Sequence, residues 1–192
     1  AAPAVVGSCL AIAIWLYDAG LKRSWAGAAL MGWCRFLNVL LGASVAADLA
    51  EQPAPWVFSA AVGLYTFALT LIAQSEVAED AATRRKDHAA QFGLAATGLL
   101  AASLPYLLAA PKVGAVGSVV FGVEFGALLF LFRSARRVES PDPRRRLVGR
   151  MIQCFIVTDA VAAAIAAGWG SGIAVACLLI PTLALSRRTA MT

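Results

Sequence analysis

The sequence predicts an all-α fold, a polytopic bundle of about seven transmembrane helices forming a single domain over residues 1–192, on three observations. Hydrophobic residues make up 60% of the chain and charged residues 14%, with a mean hydropathy of +0.77, a balance that a soluble domain of this size does not keep in solution. The apolar residues gather in blocks of roughly 17–23, long enough at ~1.5 Å per residue to cross a ~30 Å hydrocarbon core. Stretches such as 95–110 and 173–185 are apolar on every side, whereas the strands of a membrane barrel would alternate.

Spans are expected near residues 3–18, 26–46, 55–74, 90–109, 113–132, 147–168 and 171–186, separated by charged or turn-forming clusters. Small residues dominate them, and Gly122 and Gly126 stand at GxxxG spacing, which predicts close helix packing there. Pro141 and Pro143 are expected to keep 139–144 out of helix. The chain opens on Ala1, with no basic region ahead of the first apolar block to suggest a signal peptide. All four cysteines, Cys9, Cys34, Cys154 and Cys177, fall inside apolar blocks at spacings of neither a zinc site nor a disulfide framework, so they read as small packing residues.

Charge sets the expected orientation. With the amino terminus outside, the connections after the first, third, fifth and seventh spans face the cytoplasm. They hold Lys22, Arg23, Arg84, Arg85, Lys86, Arg133, Arg136, Arg137, Arg144, Arg145, Arg146, Arg150, Arg187 and Arg188, all of the 16 basic residues except Lys112 and Arg35. The carboxy terminus is then cytoplasmic too. The net charge of +5 follows from this orientation and from anionic headgroups, which makes membrane lipids the expected partner and nucleic acid unnecessary.

Ionisable and polar groups inside apolar spans cost ~2.5–3.5 kcal/mol each on insertion scales, so each is a candidate functional residue. Arg35 and Asn38 lie three apart in the second span and share a face; Glu124 lies in the fifth span and Asp159 in the sixth. Pairing of Arg35 with Glu124 or Asp159, holding helices in register, is the structural alternative. After the third span, Glu76, Asp80, Thr83 and Asp87 recur at offsets of four, three and four, which on a helix places them on one face. Stacked carboxylates suit Mg²⁺, a hard cation that bridges to diphosphates, although a solvated acidic and basic loop has the same pattern. The connection from Tyr17 to Arg23 supplies Lys22 and Arg23, cations able to clamp phosphate oxygens and also what topology alone places there. His88 is the only histidine and lies in a charged segment, which leaves little basis for a proton relay or haem ligand.

The string Leu16-Tyr17-Asp18-Ala19-Gly20-Leu21-Lys22-Arg23, followed by Met31-Gly32-Trp33-Cys34-Arg35-Phe36-Leu37-Asn38 and then Gly42-Ala43, resembles the middle of the UbiA superfamily of prenyltransferases. Gln74-Ser75-Glu76-Val77-Ala78-Glu79-Asp80 lies where that family carries its second acidic motif. Thr158-Asp159-Ala160 and the closing Leu-Ile-Pro with Ser186-Arg187-Arg188 are similar to its EboC-like branch. The family's first aspartate-rich motif belongs upstream of the first span, so the expectation is a UbiA-like bundle lacking its amino-terminal helices, the carboxy-terminal two-thirds of such a protein.

The resemblance implies a bundle that uses Mg²⁺ to ionise a prenyl diphosphate and joins the allylic group to an aromatic or other lipid-soluble acceptor. Glu76, Asp80 and Asp87 would hold Mg²⁺ and diphosphate, Lys22 and Arg23 would clamp phosphate beside Tyr17, and Arg35 and Asn38 would line the chamber. Two other classes stay open at this point. One is a catalytically silent UbiA-like subunit with a structural role among other membrane subunits. The other is a small transporter, for which no inverted repeat or pair of broken helices speaks.

Overall fold

The computed structural model describes residues 2–21, 24–46, 49, 51–75, 122–123, 126, 129–130, 133 and 141–189. Its regular structure there is entirely helical, with no strand among the described residues. The continuous helices are α1 (Ala2–Asp18), α2 (Trp25–Ala46), α3 (Ala54–Ser75), α4 (Pro141–Ala167), α5 (Trp169–Ala176) and α6 (Leu179–Thr189). Two stretches, Trp25–Val45 and Ala54–Gln74, are long and apolar enough to cross a membrane, while Ala2–Asp18, Met151–Ala164 and Trp169–Ala184 are apolar but shorter. The chain divides into two compact units, residues 1–112 and 113–192.

In the first unit α2 packs against both α1 and α3. The helices start and stop for local reasons. Pro3 and Pro55 sit in the first turns of α1 and α3, where a missing N–H costs nothing. Gly20, at φ +128°, turns the chain after α1 in a conformation that side chains other than glycine's rarely adopt. Ser24 caps α2, its Oγ accepting from the Gly27 N–H at 3.2 Å.

The α2–α3 contact is built on two glycines. A Cβ added at Gly32 would lie 2.7 Å from the Gly63 carbonyl oxygen and 3.0 Å from Phe67 Cβ; one added at Gly63 would lie 2.9 Å from the Gly32 oxygen and 3.1 Å from Phe36 Cβ. Backbone therefore touches backbone, a close approach open only to residues without side chains. Aromatic contacts bracket the crossing. Trp25 meets Phe67 edge-on at 6.4 Å on one side, and Phe36, stacked on Trp33 at 4.9 Å, meets Trp56 at 6.2 Å on the other. The Trp56 indole N–H donates to the Leu49 carbonyl at 2.9 Å, tying the approach to α3 to its first turn.

Along α3, Ala61, Tyr65, Ala68 and Ile72 are buried at intervals of four, three and four, the spacing of a helix face turned to its neighbours. Buried hydroxyls mostly find carbonyls one turn back: Thr66 donates to Val62 at 2.9 Å and, in α4, Thr158 to Cys154 at 3.1 Å. That local bonding lets a helix carry threonine without a polar partner on another helix.

In the second unit, α4 reverses into α5 at Gly168, whose φ of +89° again calls for glycine. A Cβ at Gly172 would fall 2.5 Å from Ala164 Cβ and 2.9 Å from the Ala160 oxygen, so α5 lies directly on the backbone of α4. The buried positions of α4 include Met151, Cys154, Thr158 and Ala160.

Two expectations are corrected. Of residues 139–144, expected to stay out of helix, 141–144 form the start of α4, because a helix's first N–H groups have no internal acceptor and proline loses little there. The expected span 171–186 is broken at Cys177–Leu178, ahead of Pro181, whose ring removes an N–H from the ladder. There the Ile180 N–H donates to Cys177 at 3.1 Å, and the Thr182 hydroxyl reaches the Leu178 and Leu179 carbonyls at 2.8 and 2.9 Å, so the freed acceptors are satisfied. Gly122 and Gly126 meet no described atom within 4 Å of an added Cβ, with most of the chain around them in sequence outside the described residues; the close crossings among the described residues fall at Gly32, Gly63 and Gly172. The expected spans 90–109 and, apart from its helical residues 122–123, 126 and 129–130, 113–132 lie outside the described residues.

Candidate functional site

The first unit gathers its chemistry at one end. Because α2 is antiparallel to both α1 and α3, the end of α1, the turn into α2 and the end of α3 meet. Ser24 is the knot: its hydroxyl donates to the Leu21 carbonyl at 2.7 Å, its Oγ caps α2, and its carbonyl accepts from Gln74 Nε2 at 3.3 Å. This last bond links residues fifty positions apart. It sets the last turn of α3, two residues before Glu76, against the residue that follows Lys22 and Arg23.

Around this end Tyr17 is half-buried, while Asp18 and Leu21 are exposed and Trp15 and Trp25 are 69% and 71% exposed. Tryptophans at helix ends are the side chains that settle at a membrane–water boundary, with the ring in the apolar layer and the N–H in the polar one.

The other predicted site residues divide into those the structure describes and those it does not. Arg35 is half-buried in α2 and engaged within the chain; Asn38, one turn further on, is exposed. Asp159 is half-buried in α4 and likewise engaged. Lys22, Arg23, Glu76, Asp80, Asp87 and Glu124 lie outside the described residues, and so does His88. Among the described residues no three His, Cys, Asp or Glu side chains come together as a metal site. The cysteines behave as isolated thiols, Cys154 buried, Cys34 half-buried and Cys9 and Cys177 exposed.

Ser24 and Gln74 are not among the residues that sequence reasoning singles out. A serine directly ahead of an apolar helical block is an N-cap signal, so Ser24 could have been found; the reach of Gln74 across the helix pair could not, since nothing local encodes it. Comparison with family models, with curated proteins and with solved structures returns no match.

Proposed function

We propose that the chain is a multi-pass membrane protein of UbiA-like type that binds a prenyl diphosphate at the cytoplasmic end of α1, α2 and α3 and transfers the prenyl group to a lipid-soluble acceptor. The observation that supports it is the Gln74–Ser24 hydrogen bond, which joins the roots of the basic and acidic segments at one mouth. A diphosphate needs cations on one side and metal-bearing carboxylates on the other, and a single mouth that receives both segments suits it. Three carboxylates at Glu76, Asp80 and Asp87 form an all-oxygen donor set suited to Mg²⁺, which when bound would neutralise charge on the departing diphosphate. Lys22 and Arg23 hold the anion, Tyr17 borders it, and the apolar helices beyond keep water from the allylic cation.

The orientation, amino terminus outside and basic loops inside, is supported by the second unit. Arg144, Arg145, Arg146 and Arg150 occupy the first turns of α4, and Arg187 and Arg188 the last turn of α6. The chain reverses at Gly168, and α6 continues beyond α5 while still touching α4. Roughly 18 residues separate Gly168 from Arg150, about 27 Å of helix, and a similar number separates it from Arg187 on a leg broken at Cys177–Leu178. On this reading both legs would run between the two faces of a hydrocarbon core, with the arginines at one of them.

The test is Mg²⁺-dependent binding and turnover of farnesyl diphosphate by the reconstituted chain and its Asp80→Ala variant. Loss of both in the variant is the expected result; unchanged binding and transfer rejects the role of the acidic segment. A structural subunit remains the second reading, favoured by α1, which buries only Ala13 and exposes Val5, Ile12 and Trp15. Co-purification of stoichiometric membrane subunits without farnesyl diphosphate binding would decide for it.

A further inference from the structure

The second unit concentrates positive charge that the chain's own acids cannot balance. Arg144, Arg145, Arg146 and Arg150 lie in the first turns of α4, and Arg187 and Arg188 in the last turn of α6. The acidic residues of these two helices are Asp142 and Asp159. Asp159 stands nine residues beyond Arg150, about 14 Å further along α4, and is engaged within the chain. The rest of the sequence does not supply the balance. On the proposed inner side stand fourteen basic residues against seven acidic ones, counting Asp18, the four from Glu76 to Asp87, Glu139 and Asp142. However those segments are arranged, a surplus of seven cations on that side is left for anions other than the chain's own side chains.

The two basic ends belong together. α6 remains in contact with α4, and Arg187 lies about as many residues from the Gly168 reversal as Arg150 does, so the arginines of both helices fall at one end of the unit. In each helix the charge adjoins apolar sequence without a spacer. Arg150 directly precedes the apolar stretch Met151–Ala164, and Arg187 follows the stretch Trp169–Ala184 by three positions. In a bilayer that adjacency sets the cations at the depth of the lipid phosphates, whereas a site for a soluble polyanion does not call for it.

We infer that the shared end of α4 and α6 binds the phosphates of anionic phospholipids in the inner leaflet. All six cations there are arginine, the side chain whose planar fork meets two phosphate oxygens with two N–H groups and keeps its charge at any physiological pH. Charge complementarity selects the occupant: a zwitterionic headgroup cannot offset the surplus, and an anionic one can.

The inference rests on the membrane orientation proposed above and not on catalysis. The chain is reconstituted into phosphatidylcholine vesicles with a trace of spin-labelled phosphatidylglycerol or spin-labelled phosphatidylcholine, and electron paramagnetic resonance reads the fraction of label held at the protein. Wild type should hold the phosphatidylglycerol about fivefold more firmly or better. That preference should collapse as ionic strength rises from about 0.01 M to about 1 M, where the screening length falls from ~30 Å to ~3 Å. Arg144→Gln, Arg145→Gln and Arg146→Gln together should remove most of it, while Arg84→Gln, Arg85→Gln and Lys86→Gln, an equal loss of charge elsewhere on the inner side, should leave most of it. Equal retention of the two lipids by wild type, or equal loss in the two triple variants, overturns the site. Displacement of the labelled phosphatidylglycerol by stoichiometric farnesyl diphosphate overturns it too, by assigning the arginines to the prenyl donor. Release of the chain from vesicles by alkaline carbonate overturns the membrane reading itself.

Discussion

Adding one methyl group at Gly32 is the sharpest probe of how the first unit holds together. The new Cβ would stand 2.7 Å from the Gly63 carbonyl oxygen, against about 3.4 Å for an ordinary contact, so α2 and α3 must part by about 0.7 Å. The obstruction is backbone, not a side chain that can swing aside. A gap of that size forfeits a quarter to a half of the attraction between the facing atoms, and overpacking of this kind costs ~1–3 kcal/mol. Against this, alanine improves helix propensity by up to ~1 kcal/mol over glycine. The net expectation for Gly32→Ala is a loss of about 1–2 kcal/mol, partly through the loosened Trp25–Phe67 and Phe36–Trp56 contacts. Gly63→Ala meets the Gly32 oxygen at 2.9 Å, and the same parting of the helices relieves both clashes. The double variant should therefore lose distinctly less than the sum of the two. Reversible unfolding by SDS in mixed micelles, followed by far-ultraviolet circular dichroism, measures all three. A Gly32→Ala chain as stable as wild type, or a fully additive double variant, would refute a backbone-to-backbone crossing.

Three further outcomes are expected. Ser24→Ala removes the acceptor for the Gly27 N–H and the donor to Leu21, and should cost about 1 kcal/mol in the same unfolding assay, with Ser24→Asp retaining the cap. Pro181→Ala restores an N–H to the broken turn, so amide exchange at residues 180 and 182 should slow by about tenfold or more; unchanged exchange would place the cause of the break elsewhere. Single cysteines at 141–146 and at 188 should react with an impermeant maleimide only from the inner side of sealed vesicles, and one at Gly168 only from the outer side. Labelling of all these sites from one side would dismiss the matched hairpin.

The first three helices are legible in the sequence to within a residue or so, because each is a block of apolar residues ended by Gly20, by the charged stretch after Ala46 or by Gln74 and the acids that follow. Prolines are the weak point. Pro141 and Pro143 look like barriers on paper yet stand at a helix start, and Pro181 hides in an apolar run that hydropathy alone cannot divide. The crossing at Gly32 and Gly63 is invisible for a different reason. A GxxxG spacing can be seen within one helix, but two single glycines 31 residues apart acquire meaning only when the helices lie side by side. Of the candidate residues, Tyr17, Arg35 and Asn38 are placed by the structure; Ser24 carries a legible N-cap signal, whereas the reach of Gln74 to it escapes notice because their bond is neither local nor charged.

The glycine crossing also makes α2 and α3 a pair of levers. They touch most closely at one point, and from it α3 runs eleven more residues to Gln74, about 16 Å. A tilt of ~10° about that fulcrum would swing the tip of α3 by ~3 Å, about the length of the single hydrogen bond that latches it to Ser24. The bond between Gln74 and Ser24 is thus governed from a spot a dozen ångströms or more away along the helix pair.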